Sequence, residues 1–354
     1  MPNAILTRAI DALASHRDLS ADETAEVLSE IMHGDVSETQ IAAFLIALRT
    51  KGETVDELAG LARTMRDLAA RVPTTRRDLL DTAGTGGGRR TFNVSTTAAL
   101  IAAGAGCAVA KHGNRSATSS SGSADLLEAL GARIDLDPDG VARCIEQAGF
   151  GFMFAPAHHQ ATRFVVPVRA ELAVRTIFNF LGPLTNPAGA SRQLIGVSDP
   201  AFLETIAGAL ARLGVERALV ASAEDGLDEL SVAAGTKVVE VNGEELVRYT
   251  LTPGEVGVEQ FSTAVLERDC AGGTPEQNAA VTRAIFAGDG AAATASVELA
   301  VINAGAAIYA AGASASIAEG VEAARATLAD GAAADALDRY VQASHANAPS
   351  GAVS

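Results

Sequence analysis

The sequence has few aromatic residues, no tryptophan and only three cysteines. Aromatic residues make up 4% of the 354 positions and hydrophobic residues 48%, so a core must rest on Ala, Leu, Val and Ile. The cysteines are widely spaced and show no metal-ligand pattern, which predicts reduced thiols and a cytoplasmic protein. The length suits one elaborate α/β unit, or a large domain accompanied by a smaller one.

Basic residues are also scarce, since 27 Lys and Arg face 43 Asp and Glu and the net charge is −16. Such a surface repels nucleic acid and anionic lipid, so we expect neither as a partner. An anionic substrate would need a local pocket of positive potential. Residues 1–17 have no signal-peptide core, and the weakly polar stretch 299–314 is too short and too rich in Ala and Gly for a membrane span.

Residues 1–72 carry helix signals and no strand signal. Three of four predicted helices begin with a capping box, in which a Ser or Thr and the residue three positions later bond each other's backbone. The boxes are Ser20–Glu23, Ser37–Gln40 and Thr54–Glu57. We predict a small all-helical domain over residues 1–72, with a later helical segment near residues 165–190 packing on it.

From residue 73 onward, predicted strands and helices alternate in the order typical of a parallel sheet with crossover helices. A hairpin then turns at Asn242–Gly243. The predicted fold class is therefore α/β, with the small helical domain joined to a large α/β domain over residues 73–346, whose mostly parallel sheet is flanked by helices. Residues 347–354 are predicted to form a frayed tail.

A glycine-rich loop, Gly84-Thr-Gly-Gly-Gly88, follows the first predicted strand, and Asn93-Val-Ser-Thr96 begins the next predicted helix. Glycines let backbone N–H groups approach a phosphate, and a helix N-terminus adds unpaired N–H groups and a favourable dipole. The glycines alone fit a flexible turn equally well. Their position between a strand and a helix favours phosphate binding.

A second loop, Lys111-His-Gly-Asn-Arg-Ser116, continues into a serine-rich stretch that ends at Ser123. It follows another predicted strand, where open α/β sheets bind ligands. Lys111, Arg115 and, when protonated, His112 would supply the positive patch that the acidic surface requires. The alternative is a solvated basic loop.

Two further segments carry candidate chemistry. Asp228 and Glu229 follow a predicted strand, and adjacent carboxylates there suit Mg²⁺, although acidic pairs are mostly solvated surface. Arg163 to Arg169 and then Arg175 to Pro187 form an arginine-containing segment. An arginine fork is the usual partner of a planar carboxylate.

In this order and spacing, the four segments closely resemble anthranilate phosphoribosyltransferase over nearly the whole chain. The most specific matches are Lys111-His-Gly-Asn-Arg, Gly-Ser-Ala-Asp125, Pro167-Val-Arg169 and Thr176-Ile-Phe-Asn with Leu-Gly-Pro-Leu-Thr-Asn-Pro187. The resemblance implies a homodimer built on the helical domain. It also implies Mg²⁺-dependent transfer of the phosphoribosyl group of 5-phosphoribosyl 1-diphosphate to anthranilate, a step of tryptophan biosynthesis.

The resemblance also implies the site residues. Expected contacts of the sugar diphosphate are Gly84, Thr85, Gly87, Gly88, Thr91, Asn93, Ser95, Thr96, Lys111, Asn114, Ser119 and Ser123. Expected contacts of anthranilate are Gly84, His112, Asn114, His159 and Arg169. The expected metal ligands are Ser95, Asp228 and Glu229, and the expected catalytic residues are Lys111, Arg169, Asp228 and Glu229.

The chain departs from the family pattern at two places. The glycine loop usually continues with Asp, whereas here it appears one residue short and runs Gly88-Arg89-Arg90, and Ser120 stands where relatives usually have Lys. We hypothesise that Arg89 or Arg90 compensates at the phosphoribosyl site. Two rival functions are a pyrimidine nucleoside phosphorylase, which shares the architecture, and a non-catalytic nucleic-acid-binding relative.

Overall fold

The computed structural model describes residues 1–116 and 120–348, so Ser119 and most of the predicted tail lie outside the described residues. The N-terminal part forms the four predicted helices. They are α1 (Ala4–Ala14), α2 (Ala21–His33), α3 (Glu38–Lys51) and α4 (Val55–Asp67).

Two of the three capping boxes are confirmed, those at Ser20–Glu23 and Thr54–Glu57. The third is only half formed. Ser37 accepts a hydrogen bond from the Gln40 backbone N–H, but the Gln40 side chain turns away to the start of α1. There it accepts from the Asn3 N–H at 2.9 Å and donates to the Asn3 carbonyl at 3.0 Å. Gln40 thus joins two helices instead of closing its own cap.

The remainder of the described chain contains one seven-stranded sheet, with strand order β3-β2-β1-β4-β5-β6-β7. The first five strands in this order pair in parallel, and β5, β6 and β7 pair antiparallel. This confirms the mostly parallel sheet and the hairpin predicted at Asn242–Gly243. The strands are β1 (Leu79–Gly84), β2 (Ala108–Gly113), β3 (Phe150–Phe154), β4 (Arg192–Gly196), β5 (Arg217–Ala223), β6 (Thr236–Asn242) and β7 (Glu245–Leu251).

Helices cover both faces of the sheet. They are α5 (Val94–Gly104), α6 (Ser123–Ala129), α7 (Pro138–Ala148), α8 (Ala155–His158), α9 (Val166–Leu172), α10 (Phe178–Leu184), α11 (Leu203–Arg212), α12 (Thr263–Asp269), α13 (Pro275–Ala287), α14 (Thr294–Ala310), α15 (Ile317–Ala329) and α16 (Ala332–Ala346). Helix α14 is buried along nearly its whole length against α5 and α15, as its Ala-rich sequence predicts. No helix of the described residues is long and apolar enough to cross a membrane.

Two buried cores flank the sheet. One joins α5, α7, α14 and α16 to one face. The other joins the N-terminal helices to α9, α10, α11 and the opposite face of β4–β6, so that Phe44, Val168 and Val220 belong to the same cluster. The parallel strands run in one direction, so β1, β2 and β4 end at the same edge of the sheet. Their last residues are Gly84, Gly113 and Gly196. That edge is where ligands bind in open α/β sheets.

Candidate active site

Two adjoining cavities open at this edge, of about 660 and 630 Å³. Their walls share a set of residues at the ends of β1 and β2 and at the starts of α5 and α6. The shared residues are Ala83, Gly84, Ser95, Asn114 and Ser123. A ligand in one cavity can therefore meet a ligand in the other without crossing solvent.

The first cavity is lined by most of the predicted sugar-diphosphate contacts. They are Gly84, Thr85, Gly87, Gly88, Thr91, Asn93, Ser95, Asn114 and Ser123, together with Asp228 and Glu229. The second cavity is lined by Lys111 and by all five predicted anthranilate contacts, which are Gly84, His112, Asn114, His159 and Arg169. Most residues predicted to bind the sugar diphosphate thus line one cavity, and those predicted to bind anthranilate line its neighbour.

The glycine loop is folded tightly against Asp228. Gly86 and Gly87 have φ values of 65° and 85°, the left-handed region that glycine adopts without strain. The Gly86 N–H donates to Asp228 Oδ2 at 3.1 Å. A Cβ atom at Gly88 would lie 2.3 Å from Asp228 Oδ1, so this contact requires glycine there.

Helix α5 presents its N-terminus to the first cavity without a side-chain cap. Asn93, at the N-cap position, instead exchanges hydrogen bonds with Ser121 and accepts one from Asn278 at 2.8 Å. The helix end remains available to an anion. Thr96 differs from its prediction: its side chain is completely buried and lines neither cavity, and its hydroxyl has no hydrogen-bond partner among the described residues.

Lys111 lines the second cavity and contacts Ser95, a residue that both cavities share. Its ammonium donates to the Thr82 carbonyl at 2.5 Å, to the Thr82 hydroxyl and to Ser95 Oγ at 3.4 Å. Burial lowers the pKa of Lys111 to about 8, against the opposing effect of Asp81 and Glu229. The lysine therefore sits behind Ser95, a predicted metal ligand, and stabilises negative charge there.

The predicted positive patch is smaller than the sequence indicated. Arg115 turns outward and forms ion pairs with Asp125 and Glu128, so its charge is neutralised. His112 is buried, and removal from water lowers its pKa to about 3, so the ring is neutral. Arg115 lines the first cavity but is paired with carboxylates, so Lys111 is the one of these three residues that brings an uncompensated positive charge there.

His112 and His159 are fixed in defined tautomers by backbone carbonyls. His112 Nδ1 lies 3.1 Å from the Gly182 oxygen and His159 Nε2 lies 3.1 Å from the Thr185 oxygen, so these nitrogens carry the protons. Burial lowers the pKa of His159 to about 4. The remaining nitrogens, His112 Nε2 and His159 Nδ1, are hydrogen-bond acceptors, and the rings lie 5.1 Å apart.

Asp228 and Glu229 follow β5 and stand at the wall of the first cavity. Removal from water raises the pKa of both carboxyls, and for Glu229 the neighbouring Asp228 charge adds to the effect. Glu229 accepts from the Thr91 hydroxyl at 3.2 Å. Adjacent desolvated carboxylates of this kind are stabilised by a cation. No group of three or more His, Cys, Asp or Glu residues that could hold a metal occurs within residues 1–116 and 120–348.

Among the described residues, the charged group of Arg169 contacts an aromatic ring and no polar group. Its guanidinium lies over the Phe178 ring, 5.6 Å from the centroid. Within the described part of the chain it makes no hydrogen bond or ion pair. Burial alone lowers its pKa. A guanidinium fork held in this way is ready for a carboxylate.

Arg89 and Arg90 both line the first cavity, as the compensation hypothesis requires. Arg89, however, donates to the Asp225 carbonyl and forms an ion pair with Glu267. Its charge is thus already compensated.

Arg175 is a cavity residue that sequence reasoning did not assign. It lies between α9 and α10, and its guanidinium reaches the glycine loop and Ser198. The one indication in the sequence was that Arg175 begins the Arg175–Pro187 segment, which carries candidate chemistry. The contact itself depends on packing between segments about ninety residues apart along the chain.

The comparisons with known proteins agree with this geometry. Residues 7–69 match the helical bundle domain of a glycosyl transferase family, and residues 76–334 match the a/b domain of that family. Anthranilate phosphoribosyltransferases from Moorella thermoacetica and Chromohalobacter salexigens are each 50% identical over 80% of this chain, which spans 83% and 81% of those relatives. The chain belongs to the anthranilate phosphoribosyltransferase family.

Solved structures of anthranilate phosphoribosyltransferases show the same fold. The enzyme from Thermus thermophilus is 46% identical, with a TM-score of 0.88 over 95% of this chain and 99% of that one. The enzyme from Saccharomyces cerevisiae, in complex with PRPP and Mg, is 26% identical, with a TM-score of 0.86 over 97% and 99%. The resemblance predicted from the sequence motifs is confirmed.

Proposed function

We propose that this protein transfers the phosphoribosyl group of 5-phosphoribosyl 1-diphosphate to the amine of anthranilate, giving N-(5-phosphoribosyl)anthranilate and diphosphate. The observation that carries the proposal is the junction of the two cavities at Gly84, Ser95 and Asn114. One cavity offers backbone N–H groups, a helix N-terminus and two carboxylates. The other ends at the unengaged guanidinium of Arg169.

Mg²⁺ fits the first cavity. Asp228 and Glu229 offer desolvated carboxylate oxygens, and Ser95 offers a hydroxyl oxygen backed by Lys111. Mg²⁺ typically takes one or two carboxylates and completes its shell with water and substrate phosphate, so a site with few protein ligands suits it. When bound, the ion supplies positive charge that stabilises the leaving diphosphate.

The chain's own residues act on the sugar diphosphate by binding and orientation. The glycine loop, the uncapped start of α5 and Lys111 place positive charge and N–H donors where diphosphate departs from C1. Such preorganised donors act most strongly on charge that develops in the transition state. We propose that the predicted contacts that line the cavities bind the sugar diphosphate. Thr96 can contribute only through structural support of α5.

The acceptor is positioned and needs no strong general base. The anthranilate amine is neutral at pH 7 and carries a lone pair, so orientation near C1 suffices. The C1–N bond forms as the C1–O bond to diphosphate breaks, and the nitrogen then loses a proton. Arg169 would bind the acceptor carboxylate, and the neutral rings of His112 and His159 offer acceptors for the amine hydrogens.

Four further expectations belong to the same proposal: a homodimer built on the helical domain, a cytoplasmic location, a domain boundary near residue 72, and the absence of nucleic acid as a partner. The family matches end at residue 69 and resume at residue 76, which supports that boundary. The net charge of −16 supports the last expectation.

The deciding experiment is turnover of anthranilate with 5-phosphoribosyl 1-diphosphate, measured with and without Mg²⁺. We expect product only when the metal is present. Absence of product at saturating substrates would refute the proposal. Phosphorolysis of a pyrimidine nucleoside in a parallel assay would favour the nucleoside phosphorylase alternative.

A further inference from the structure

We infer that Arg175 is a positioning residue that orients the peptide groups of the glycine loop toward the diphosphate. This inference rests on the proposed function. It concerns a residue that neither the motif resemblance nor the family relationship assigns to the site.

Two successive loop carbonyls face the Arg175 guanidinium. Nη2 donates to the Gly86 oxygen at 2.9 Å and to the Thr85 oxygen at 3.3 Å, while Nη1 donates to Ser198 Oγ at 2.8 Å. Ser198 Oγ in turn donates to the same Gly86 oxygen at 2.9 Å. Arg175 and Ser198 together hold these carbonyls on the side of the loop that faces α10.

In a trans peptide the N–H points opposite to the C=O, so fixing a carbonyl also fixes the next N–H. The Thr85 carbonyl points to Arg175, and the N–H of the same peptide, that of Gly86, points to Asp228. The Gly86 carbonyl also points to Arg175, so the Gly87 N–H is directed away from Arg175. Within the described residues, neither the Gly87 N–H nor the Gly88 N–H donates a hydrogen bond to the protein.

Two free N–H groups beside a pair of carboxylates are suited to a phosphate oxygen that also binds Mg²⁺. Arg175 therefore orients the N–H groups of the loop and does not bind the phosphate itself. Its charge supports the same ligand, because its hydrogen bonds all end on neutral oxygens. Arg89 and Arg115, by contrast, are paired with carboxylates.

The surroundings of Arg175 hold it in place. Arg49 of α3 donates to the Arg175 backbone oxygen at 2.8 Å, which ties this position to the helical unit. The guanidinium lies 5.9 Å from the centroid of the Phe180 ring. A Cβ atom at Gly87 would lie 2.4 Å from Arg175 Nη1, so glycine at that position is what admits the guanidinium to the loop.

The test compares Arg175→Ala and Arg175→Lys with the wild type. Affinity for inorganic diphosphate with Mg²⁺ is measured by calorimetry, and steady-state kinetics give KM for each substrate and kcat. We expect both variants to bind diphosphate roughly tenfold or more weakly, because lysine restores the charge but cannot hold two carbonyls and a hydroxyl in one plane. KM for anthranilate should change little. Arg248→Ala, which removes an exposed arginine paired with Glu204, is the matched control.

Wild-type affinity in Arg175→Ala, or full recovery in Arg175→Lys, would overturn the inference and leave the proposed function intact. Wild-type protein that binds diphosphate but forms no product with anthranilate would instead refute the proposed function, while the diphosphate affinities still decide the role of Arg175. If the alanine variant fails to fold, the lysine variant and Ser198→Ala carry the test, since each removes part of the same contact. Equal losses of affinity for diphosphate and for anthranilate would show general damage and also count against the inference.

Discussion

The backbone N–H of Gly86 donates to Asp228 Oδ2 at 3.1 Å, which joins the glycine loop directly to a proposed metal ligand. Gly88 lies against the other oxygen of the same carboxylate. The loop thus uses its glycines to pack on Asp228. If Asp228 binds Mg²⁺ as proposed, loop conformation and metal binding are coupled.

The first prediction concerns Gly88. In Gly88→Ala the new Cβ would lie 2.3 Å from Asp228 Oδ1 and 2.9 Å from the Asp228 backbone nitrogen, so Asp228 or the loop must move. We expect the Mg²⁺ concentration for half-maximal activity to rise about tenfold, which corresponds to a loss of about 1.4 kcal/mol in metal binding. Activity is measured as a function of Mg²⁺ at saturating substrates.

Gly254→Ala is the control for this prediction, because a Cβ there would meet no atom within 4 Å and the backbone has an ordinary φ. It should leave the Mg²⁺ dependence unchanged. Identical Mg²⁺ dependence of Gly88→Ala and wild type would show that the loop does not position Asp228.

Much of this arrangement could be predicted from the sequence because it is local. A strand, a glycine loop and a helix start follow one another within residues 79–96, and parallel strands bring such loops to one edge. The same reasoning places Asp228 and Glu229 after β5. Contiguous segments therefore predicted the sheet and the positions of the glycine loop and of the Asp228–Glu229 pair.

Other features depend on packing between distant segments and could not be predicted in this way. Arg175 meets the glycine loop because the α10 segment that follows it lies against β2 and β4. The neutral state of His112 follows from its burial, which a lone Lys-His pair does not reveal. The pairing of Arg115 with Asp125 and Glu128 is a different case. Both acids lie in α6, three positions apart and close to Arg115 in the sequence, so this pairing is local.

The second prediction concerns acid stability. Burial holds the pKa of His112 at about 3 and that of His159 at about 4, below the ordinary value of 6.5. Between the folded pKa of each ring and 6.5, the unfolded chain binds more protons at these imidazoles than the folded protein does. These two groups therefore lower the free energy of unfolding as pH drops below about 6.5. We expect a slope of about 1.4 kcal/mol per pH unit for each imidazole between pH 6 and 5, measured by urea unfolding.

Replacing His112 with Asn should make that slope shallower, whatever its effect on stability at pH 7. His33→Asn, at an exposed position in the last turn of α2, controls for the loss of an imidazole from the surface. An unchanged slope in His112→Asn would contradict the proposed neutral, buried state.

The third prediction concerns the helical unit. Glu57 is completely buried, where it accepts hydrogen bonds from the Leu19 N–H, the Thr54 N–H and the Lys51 ammonium. Glu57→Ala leaves the Leu19 and Thr54 N–H groups without an acceptor and leaves Lys51 with Asp18 as its one carboxylate partner among the described residues. We expect the free energy of unfolding to fall by about 3 kcal/mol. Chemical denaturation measures this loss. Glu38→Ala, an exposed position in the first turn of α3, should change it by about 0.5 kcal/mol or less.

The fourth prediction concerns the acceptor. Arg169 lines the second cavity, and its guanidinium has no hydrogen-bond or ion-pair partner among the described residues. Arg169→Lys keeps a positive charge but loses the planar fork. We expect kcat/KM for anthranilate to fall roughly 30-fold, as for loss of one charge-assisted hydrogen bond worth about 2 kcal/mol. KM for the sugar diphosphate should stay within about twofold of wild type, because that ligand occupies the other cavity. An aniline without the carboxylate should react equally poorly with both proteins. If the variant discriminated against it as strongly as the wild type does, another group would have to bind the carboxylate.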